Sequence, residues 1–186
     1  AFSGTNLTSV IIPNTVTSLL DYTFAGCSRL TSITIPEHMT FIPTQFAKGC
    51  SSLTSFAIPS GVTVIRPEAF SGCRSLASIT IPDGVTRIYN QAFKNCTSLT
   101  SFTIPSGVTQ IDYDAFTYCT ALQDVVCRSV TPPTLATAFP KNTGMTLKVP
   151  CSAVETYKTT TNWKNFTTIL GSTFSGFNLT LNSNNT

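Results

Sequence analysis

The chain is poor in the residues on which enzymes and nucleic-acid-binding proteins rely. Its 186 residues include 1 histidine, 1 tryptophan and 2 methionines, and only 10% of them are charged, against roughly 25% in an average soluble domain. The net charge is +3 and lysine and arginine form no cluster, so nothing favours a nucleic-acid partner. Because charges are so few, the polar surface has to come from serine, threonine and asparagine.

Long apolar segments are lacking as well. No stretch approaches the roughly 20 residues that a membrane helix needs, so we expect no membrane insertion in this segment. No signal peptide is visible, since Ala1 opens directly onto repeat-like sequence and no initiator methionine precedes it. We therefore expect a mature or trimmed fragment whose export signal would have been upstream and removed, which leaves secretion open.

A repeat of 23 residues dominates what the chain does contain. Five cysteines keep this step, and so do a proline series from Pro13 to Pro105 and a leucine series from Leu7 to Leu122. The cysteines are Cys27, Cys50, Cys73, Cys96 and Cys119. A period of 20 to 30 residues held this strictly indicates a solenoid of stacked coils, because one unit cannot bury its apolar face alone.

One unit shows how each coil is expected to fold. Leu76, Ile79 and Ile81 have the spacing of a strand whose apolar side chains face inward while the residues between them face outward. Pro82 ends the strand, and Gly84 permits a turn with positive φ. A second short extended segment then returns to the core, and an Ala-Phe pair and a cysteine close the coil as buried residues. The predicted fold is a mainly β solenoid with short irregular or 3-10 segments.

The period fails from Asp124. Residues 145–150 read as a strand, residues 151–157 read as a short helix, and Trp163 and Phe166 supply bulky apolar cover, as expected of the atypical unit that seals a solenoid. We therefore divide the chain into a solenoid (1–123), a capping region (124–170) and a polar tail (171–186). The tail either adds a strand at residues 177–181 or links to another domain.

The repeated unit, Leu-x-x-Ile-x-Ile-Pro-x-Gly-Val-x-x-Ile-x-x-x-Ala-Phe-x-x-Cys, resembles the BspA-like class of leucine-rich repeats from about Leu7 to Ala121. Residues from Val126 to Phe166 resemble the C-terminal cap of such proteins in Bacteroides-type bacteria. The resemblance implies a right-handed leucine-rich-repeat solenoid in a secreted or cell-surface bacterial protein. It also implies no cofactor and no shared catalytic residues. Some family members are described as adhesins for host matrix proteins such as fibronectin and fibrinogen.

The outward positions of the first strand in each coil would form one concave side. Nearly all of them carry hydroxyl groups: Thr31, Ser32, Thr34, Thr54, Ser55, Ser78, Thr80, Thr100, Ser101 and Thr103. This pattern is typical of solvent-facing strands. It is equally what a broad, weakly polar platform for a protein or glycan would look like, and the sequence leaves both interpretations open.

A second candidate surface lies on the variable side of the coils. Tyr89, Tyr113 and Tyr118 fall on neighbouring coils, so their side chains could be close. Tyrosine is effective at interfaces because it combines apolar area with a polar tip. We hypothesise that either this face or the hydroxyl face binds a protein partner, although exposed loop positions are often only solvated.

The cysteines and acids suggest little chemistry. The five repeat cysteines read as buried thiols, whereas Cys127 and Cys151 both lie in the cap, where a disulfide would staple the end of an exported protein. No Cys-x-x-Cys pair supports zinc. His38 follows Pro36 in a turn, and no catalytic set can be built around it.

The sequence therefore predicts a non-catalytic protein-binding module, with adhesion to a host protein, possibly an extracellular matrix glycoprotein, as its function. A rigid spacer that displays another domain and a glycan-binding surface protein are the alternatives.

Overall fold

The structure, a computed structural model, describes residues 2–140 and 144–174. Over these ranges the chain forms a parallel β-solenoid of about 7 turns with little helix. The strands are short, as expected where proline and turn residues recur in every coil. They are β1 (Ser9–Ile11), β2 (Ser32–Thr34), β3 (Phe41–Ile42), β4 (Val64–Ile65), β5 (Arg87–Ile88), β6 (Ser101–Ile104), β7 (Gln110–Ile111), β8 (Asp124–Cys127), β9 (Thr134–Leu135), β10 (Thr146–Pro150) and β11 (Thr168–Ser172).

Two strand series run along the solenoid, and every pairing in them is parallel. The first sheet contains β1–β2 and β6–β8–β10–β11, and the two parts are separated by coils that share only the isolated bridge Ala57↔Thr80. The second sheet has the order β3-β4-β5-β7-β9. Ser9 pairs with Ser32, and Val64 pairs with Arg87. The sequence period therefore becomes the register, and equivalent side chains of successive coils stand side by side roughly 4.8 Å apart.

The core between the two sheets is a column of aromatic rings with leucine and cysteine around it. Phe70, Phe93 and Phe116 stack in nearly parallel planes, with ring centroids 5.5 and 5.4 Å apart. The five repeat cysteines are fully buried. Those from Cys50 to Cys119 each donate from Sγ to a backbone carbonyl 26 residues earlier, at 3.0–3.2 Å. The predicted buried thiols are confirmed.

The predicted position of the positive-φ residue is wrong. Gly61, Gly84 and Gly107 do not have positive φ; the left-handed residues lie later in each coil, as at Gly49 and Gly72. The glycine after the proline serves close approach instead. A Cβ on Gly107 would lie 2.5 Å from the carbonyl oxygen of Asp83 in the preceding coil. A larger residue there would push two coils apart.

The C-terminal segment closes the solenoid. A 3-10 turn (Cys151–Ala153) leads into helix α1 (Val154–Thr159), and a second 3-10 turn (Trp163–Asn165) precedes β11. The Tyr157 hydroxyl donates to the Ser129 carbonyl at 2.9 Å, and Trp163 Nε1 donates to the Pro133 carbonyl at 2.8 Å. Both aromatic residues are fully buried.

The chain boundaries proposed from the sequence meet the structure at one point. β11 ends at Ser172, two residues beyond the start of the predicted tail. The strand suggested at residues 177–181 lies outside the described residues. In the part that the structure describes, no helix is long and apolar enough to span a membrane.

Candidate functional site

The first-sheet face, meaning the outward side chains of the first strand series, carries serine at the same register position in five consecutive coils. These are Ser9, Ser32, Ser55, Ser78 and Ser101, and all are exposed. Threonines flank them. Of the ten hydroxyl residues singled out from the sequence, nine are exposed and Thr103 is half-buried. The structure therefore brings the predicted hydroxyl ladder together on one face.

The hydroxyl groups on this face are almost entirely unused by the fold. Thr31 Oγ1 donates to the Thr8 carbonyl at 2.8 Å. None of the other nine side chains hydrogen-bonds to any residue that the structure describes. Charge appears only at the C-terminal end, where Lys148 pairs with Asp124 at 2.8 Å. The face thus offers many free donors and acceptors and almost no ions that would have to be desolvated.

A shallow cleft of about 320 Å³ interrupts the first-sheet face at its centre. Its lining includes Ser55, Ala57, Ser78, Thr80 and Pro82. Alanine at position 57 stands where the neighbouring coils carry threonine, so the surface dips by the size of a side chain. The strand hydrogen bonding is also thinnest there, because only the Ala57↔Thr80 bridge joins these two coils as paired strands.

The three tyrosines do not form the cluster that the sequence suggested. Tyr89 is half-buried at the end of β5, and the Arg87 guanidinium carbon lies 4.1 Å above its ring. Tyr113 and Tyr118 are exposed in the turns that follow the second sheet. No ring contact joins any two of the three within the described ranges, since their positions in the coil differ. Whether any of them binds a partner stays a prediction.

The second-sheet face carries a polar network that sequence reasoning missed. Arg87 donates from Nη2 to Asp112 Oδ2 at 2.9 Å, and Gln110 Nε2 donates to Asp112 Oδ1 at 2.7 Å. One coil earlier, the Arg66 guanidinium carbon lies 3.8 Å above the ring of Phe41. The spacing of about one coil between these residues was the available signal. Since the charges on β5 and β7 are already paired, this network mainly fixes the surface of the second sheet.

The predicted disulfide between Cys127 and Cys151 is absent, and both residues are free thiols. Lys148 pairs with Val126, so the same register puts residue 149 beside Cys127 and leaves Cys151 two positions further on. Cys127 is buried, and its Sγ accepts a hydrogen bond from the Tyr157 hydroxyl at 3.1 Å, whereas Cys151 is exposed.

The acids and the histidine do not converge on a reactive centre. His38 is exposed in its turn. Asp112 is bonded to Arg87, Asp114 accepts from Thr117 at 3.0 Å, and Asp124 pairs with Lys148. Across residues 2–140 and 144–174, no group of three or more histidine, cysteine or acidic side chains could hold a metal ion.

Stacked coils, inward leucines and parallel strands define this molecule as a leucine-rich-repeat scaffold. Residues 1–132 match the family described as BspA type Leucine rich repeat region, in 6 copies. The chain belongs to this family. Leucine-rich repeats of this kind are typically non-catalytic binding scaffolds, so the class of protein is a repeat module for protein interaction.

Solved structures of bacterial leucine-rich-repeat proteins are similar to the chain. One from Bacteroides ovatus shares 23% identity with a TM-score of 0.75, over 90% of this chain and 44% of that one. One from T. pallidum shares 29% identity with a TM-score of 0.61, over 64% and 58%. One from Eubacterium ventriosum shares 30% identity with a TM-score of 0.59, over 63% and 32%.

The chain thus spans between about a third and three fifths of the length of these solved relatives. No curated protein matches its sequence.

Proposed function

We propose that this chain is the protein-binding module of a secreted or cell-surface bacterial protein, and that its first-sheet face adheres to a host protein. The observation that carries the proposal is the set of nine exposed or half-exposed hydroxyl side chains that the fold itself leaves without hydrogen bonds. A face built only for solvent would tolerate the charged residues that most protein surfaces contain. This one excludes them over several consecutive coils.

The physical properties of the face suit a protein partner. Burying a hydroxyl against a matching group costs far less than burying an unpaired charge. The backbone beneath is held by two strand series and a packed core, so little conformational entropy is lost on docking. The central cleft beside Ala57 gives a projecting side chain of the partner a place to enter.

The test is binding of the purified chain to immobilised fibronectin, fibrinogen, collagen, laminin and mucin at physiological salt. Two variants accompany it. Ser78→Arg places a long charged side chain in the central cleft, and Ser98→Arg places the same side chain at an exposed turn position of the same repeat, away from this face. Both wild-type serines lack side-chain hydrogen bonds, so the pair is matched.

We expect saturable binding to at least one panel member. Ser78→Arg should weaken it about tenfold or more, equivalent to about 1.4 kcal/mol, while Ser98→Arg should leave it within about twofold. Folded protein that binds no member would favour the rigid-spacer alternative. Equal losses in the two variants would place the binding surface elsewhere.

A further inference from the structure

One position in each coil has a left-handed backbone, and its occupant changes along the solenoid. Glycine holds it in three coils, followed by asparagine and then tyrosine. The residues are Gly26, Gly49, Gly72, Asn95 and Tyr118, with φ between 60° and 77°. Glycine adopts this conformation without steric cost and asparagine does so readily, but a bulky side chain is strained there. Tyr118 is therefore the exception in the series.

The fold gives Tyr118 little in return for this strain. Its side chain is 58% exposed. Its one contact is with Lys94 Nζ, 5.9 Å from the ring centroid, which is near the outer limit for a cation–π interaction. The hydroxyl hydrogen-bonds to no residue in the described ranges. A strained residue that does not stabilise its own fold points to a role outside the fold.

The backbone N–H of Tyr118 is also free, unlike that of its equivalents. In the four preceding coils this N–H donates to a carbonyl of the next coil at 2.7–2.9 Å. The acceptors are Lys48, Ser71, Lys94 and Thr117. At Tyr118 the regular next coil has ended, and nothing in the described part of the chain accepts its hydrogen. A donor thus remains available where the solenoid meets the cap.

An open cleft of about 460 Å³ lies at the same place. We call it the cap cleft; it is lined by Asp114, Thr117, Tyr118, Thr120, Thr137, Phe139 and Pro140. Its volume lies in the range of small-ligand sites. Asp114 Oδ1 accepts a hydrogen bond from Thr117 Oγ1 at 3.0 Å, which leaves Oδ2 without a protein donor. No basic side chain belongs to the lining.

These groups match the surface of a sugar ring. A pyranose has an apolar C–H face, which packs on an aromatic ring such as Tyr118, and a rim of hydroxyls that both donate and accept. Asp114 can accept from that rim, and the threonine hydroxyls and the Tyr118 N–H can complete it. We propose that the cap cleft binds a neutral pyranose residue, with Tyr118 as the stacking residue and Asp114 as the hydroxyl acceptor. The acidic lining disfavours anionic sugars.

This inference goes beyond the proposed adhesion and depends on different residues. The first-sheet face contributes no side chain to the cap cleft. Ser78→Arg should therefore abolish host-protein binding without changing sugar binding, and variants of Tyr118 should do the reverse.

The experiment uses saturation-transfer NMR of the full chain with methyl galactopyranoside, methyl mannopyranoside and methyl N-acetylglucosaminide at millimolar concentration. Tyr118→Gly restores the residue found in three earlier coils, so it is expected to fold well. It should raise the Tm by about 2–4 °C and lower affinity for the bound sugar at least tenfold. Asp114→Asn retains the left-handed backbone, because asparagine tolerates it, and should weaken binding severalfold.

Tyr113→Ala is the matched control, because Tyr113 is exposed to a similar extent but lies outside the cleft lining. It should leave sugar binding unchanged. The proposal is overturned if none of the three sugars gives saturable transfer, or if Tyr118→Gly binds as the wild type does. A Tm that falls in Tyr118→Gly would also overturn it, since the ring would then be holding the fold together.

Discussion

The cysteines show how strongly position in the coil determines side-chain chemistry. Burial raises the pKa of Cys50 to about 12 and raises that of Cys73 well above its ordinary value of 9.0. The pKa of Cys96 is raised by its hydrogen bond to Cys119 and by burial. Cys151 has the same functional group but is exposed. Since the thiolate is the nucleophile, reactivity should separate these residues sharply.

We predict that a disulfide-exchange reagent at pH 8 labels one thiol rapidly in the native protein, and that this thiol is Cys151. The other six are buried and should react only as the protein unfolds. Denaturation without reductant should expose all seven. Cys151→Ser should abolish the fast phase and serves as the control. Only five reactive thiols after denaturation would contradict the free Cys127 and Cys151.

At this scale the sequence predicts most of the site and misses the rest for definite reasons. The outward serines and threonines are readable, because alternation along a strand fixes which side chains face solvent. The cap cleft is not, because Phe139 and Pro140 come from the segment where the period has failed. A usable signal did exist for Tyr118, since glycines recur at the equivalent position in three earlier repeats.

At the scale of elements, both strand series of the repeat are confirmed, but their continuity could not be read from the sequence. The segments around Ala57 and Thr80 have the same apolar spacing as β2 and β6, yet they are joined by a single bridge. Strand pairing depends on backbone spacing within tenths of an ångström, whereas the motif encodes only which side chains point inward. The repeat therefore predicts the coil without predicting its hydrogen bonds.

The aromatic column is the element that joins the solenoid to its cap. Phe139 stacks on Phe116 with centroids 4.8 Å apart and planes 3° apart, and it meets Phe166 edge-on at 5.2 Å. Trp163 packs against the other side of Phe166 at 6.0 Å. Half-buried Phe139 thus links the last regular coil to both bulky residues of the cap.

We predict that Phe139→Ala lowers the free energy of unfolding by about 2–3 kcal/mol, less than the 3–5 kcal/mol typical of a fully buried phenylalanine. Trp163 is the only tryptophan, so its fluorescence reports on the cap while far-UV circular dichroism reports on the sheets. Both denaturation midpoints should fall together, because β10 and β11 continue the first sheet through β8.

Tyr113→Ala, which removes an exposed ring, should change stability by less than about 0.5 kcal/mol. A fluorescence transition that shifts alone would contradict joint unfolding. It would instead make the predicted boundary at residue 124 a boundary between folding units.

At the scale of the whole molecule, stacking converts one sequence unit into long surfaces. A residue that recurs every 23 positions becomes a row of side chains one strand spacing apart. The first-sheet face is such a row, and its neutrality results from the same substitution pattern in each coil. The cap cleft arises only once, at the end of the stack. A repeat protein can thus carry an extended surface for a macromolecule and a compact site for a small ligand.

The most direct measurement of the central claim is hydrogen–deuterium exchange of the chain, alone and with the host protein that it binds. If the first-sheet face is the interface, slowed exchange should recur every 23 residues, at residues 31–34, 54–57, 77–80 and 100–103. The second-sheet strands β3, β4 and β5 should exchange as in the free chain. Protection confined to the second sheet or to the cap would contradict recognition through the hydroxyl face.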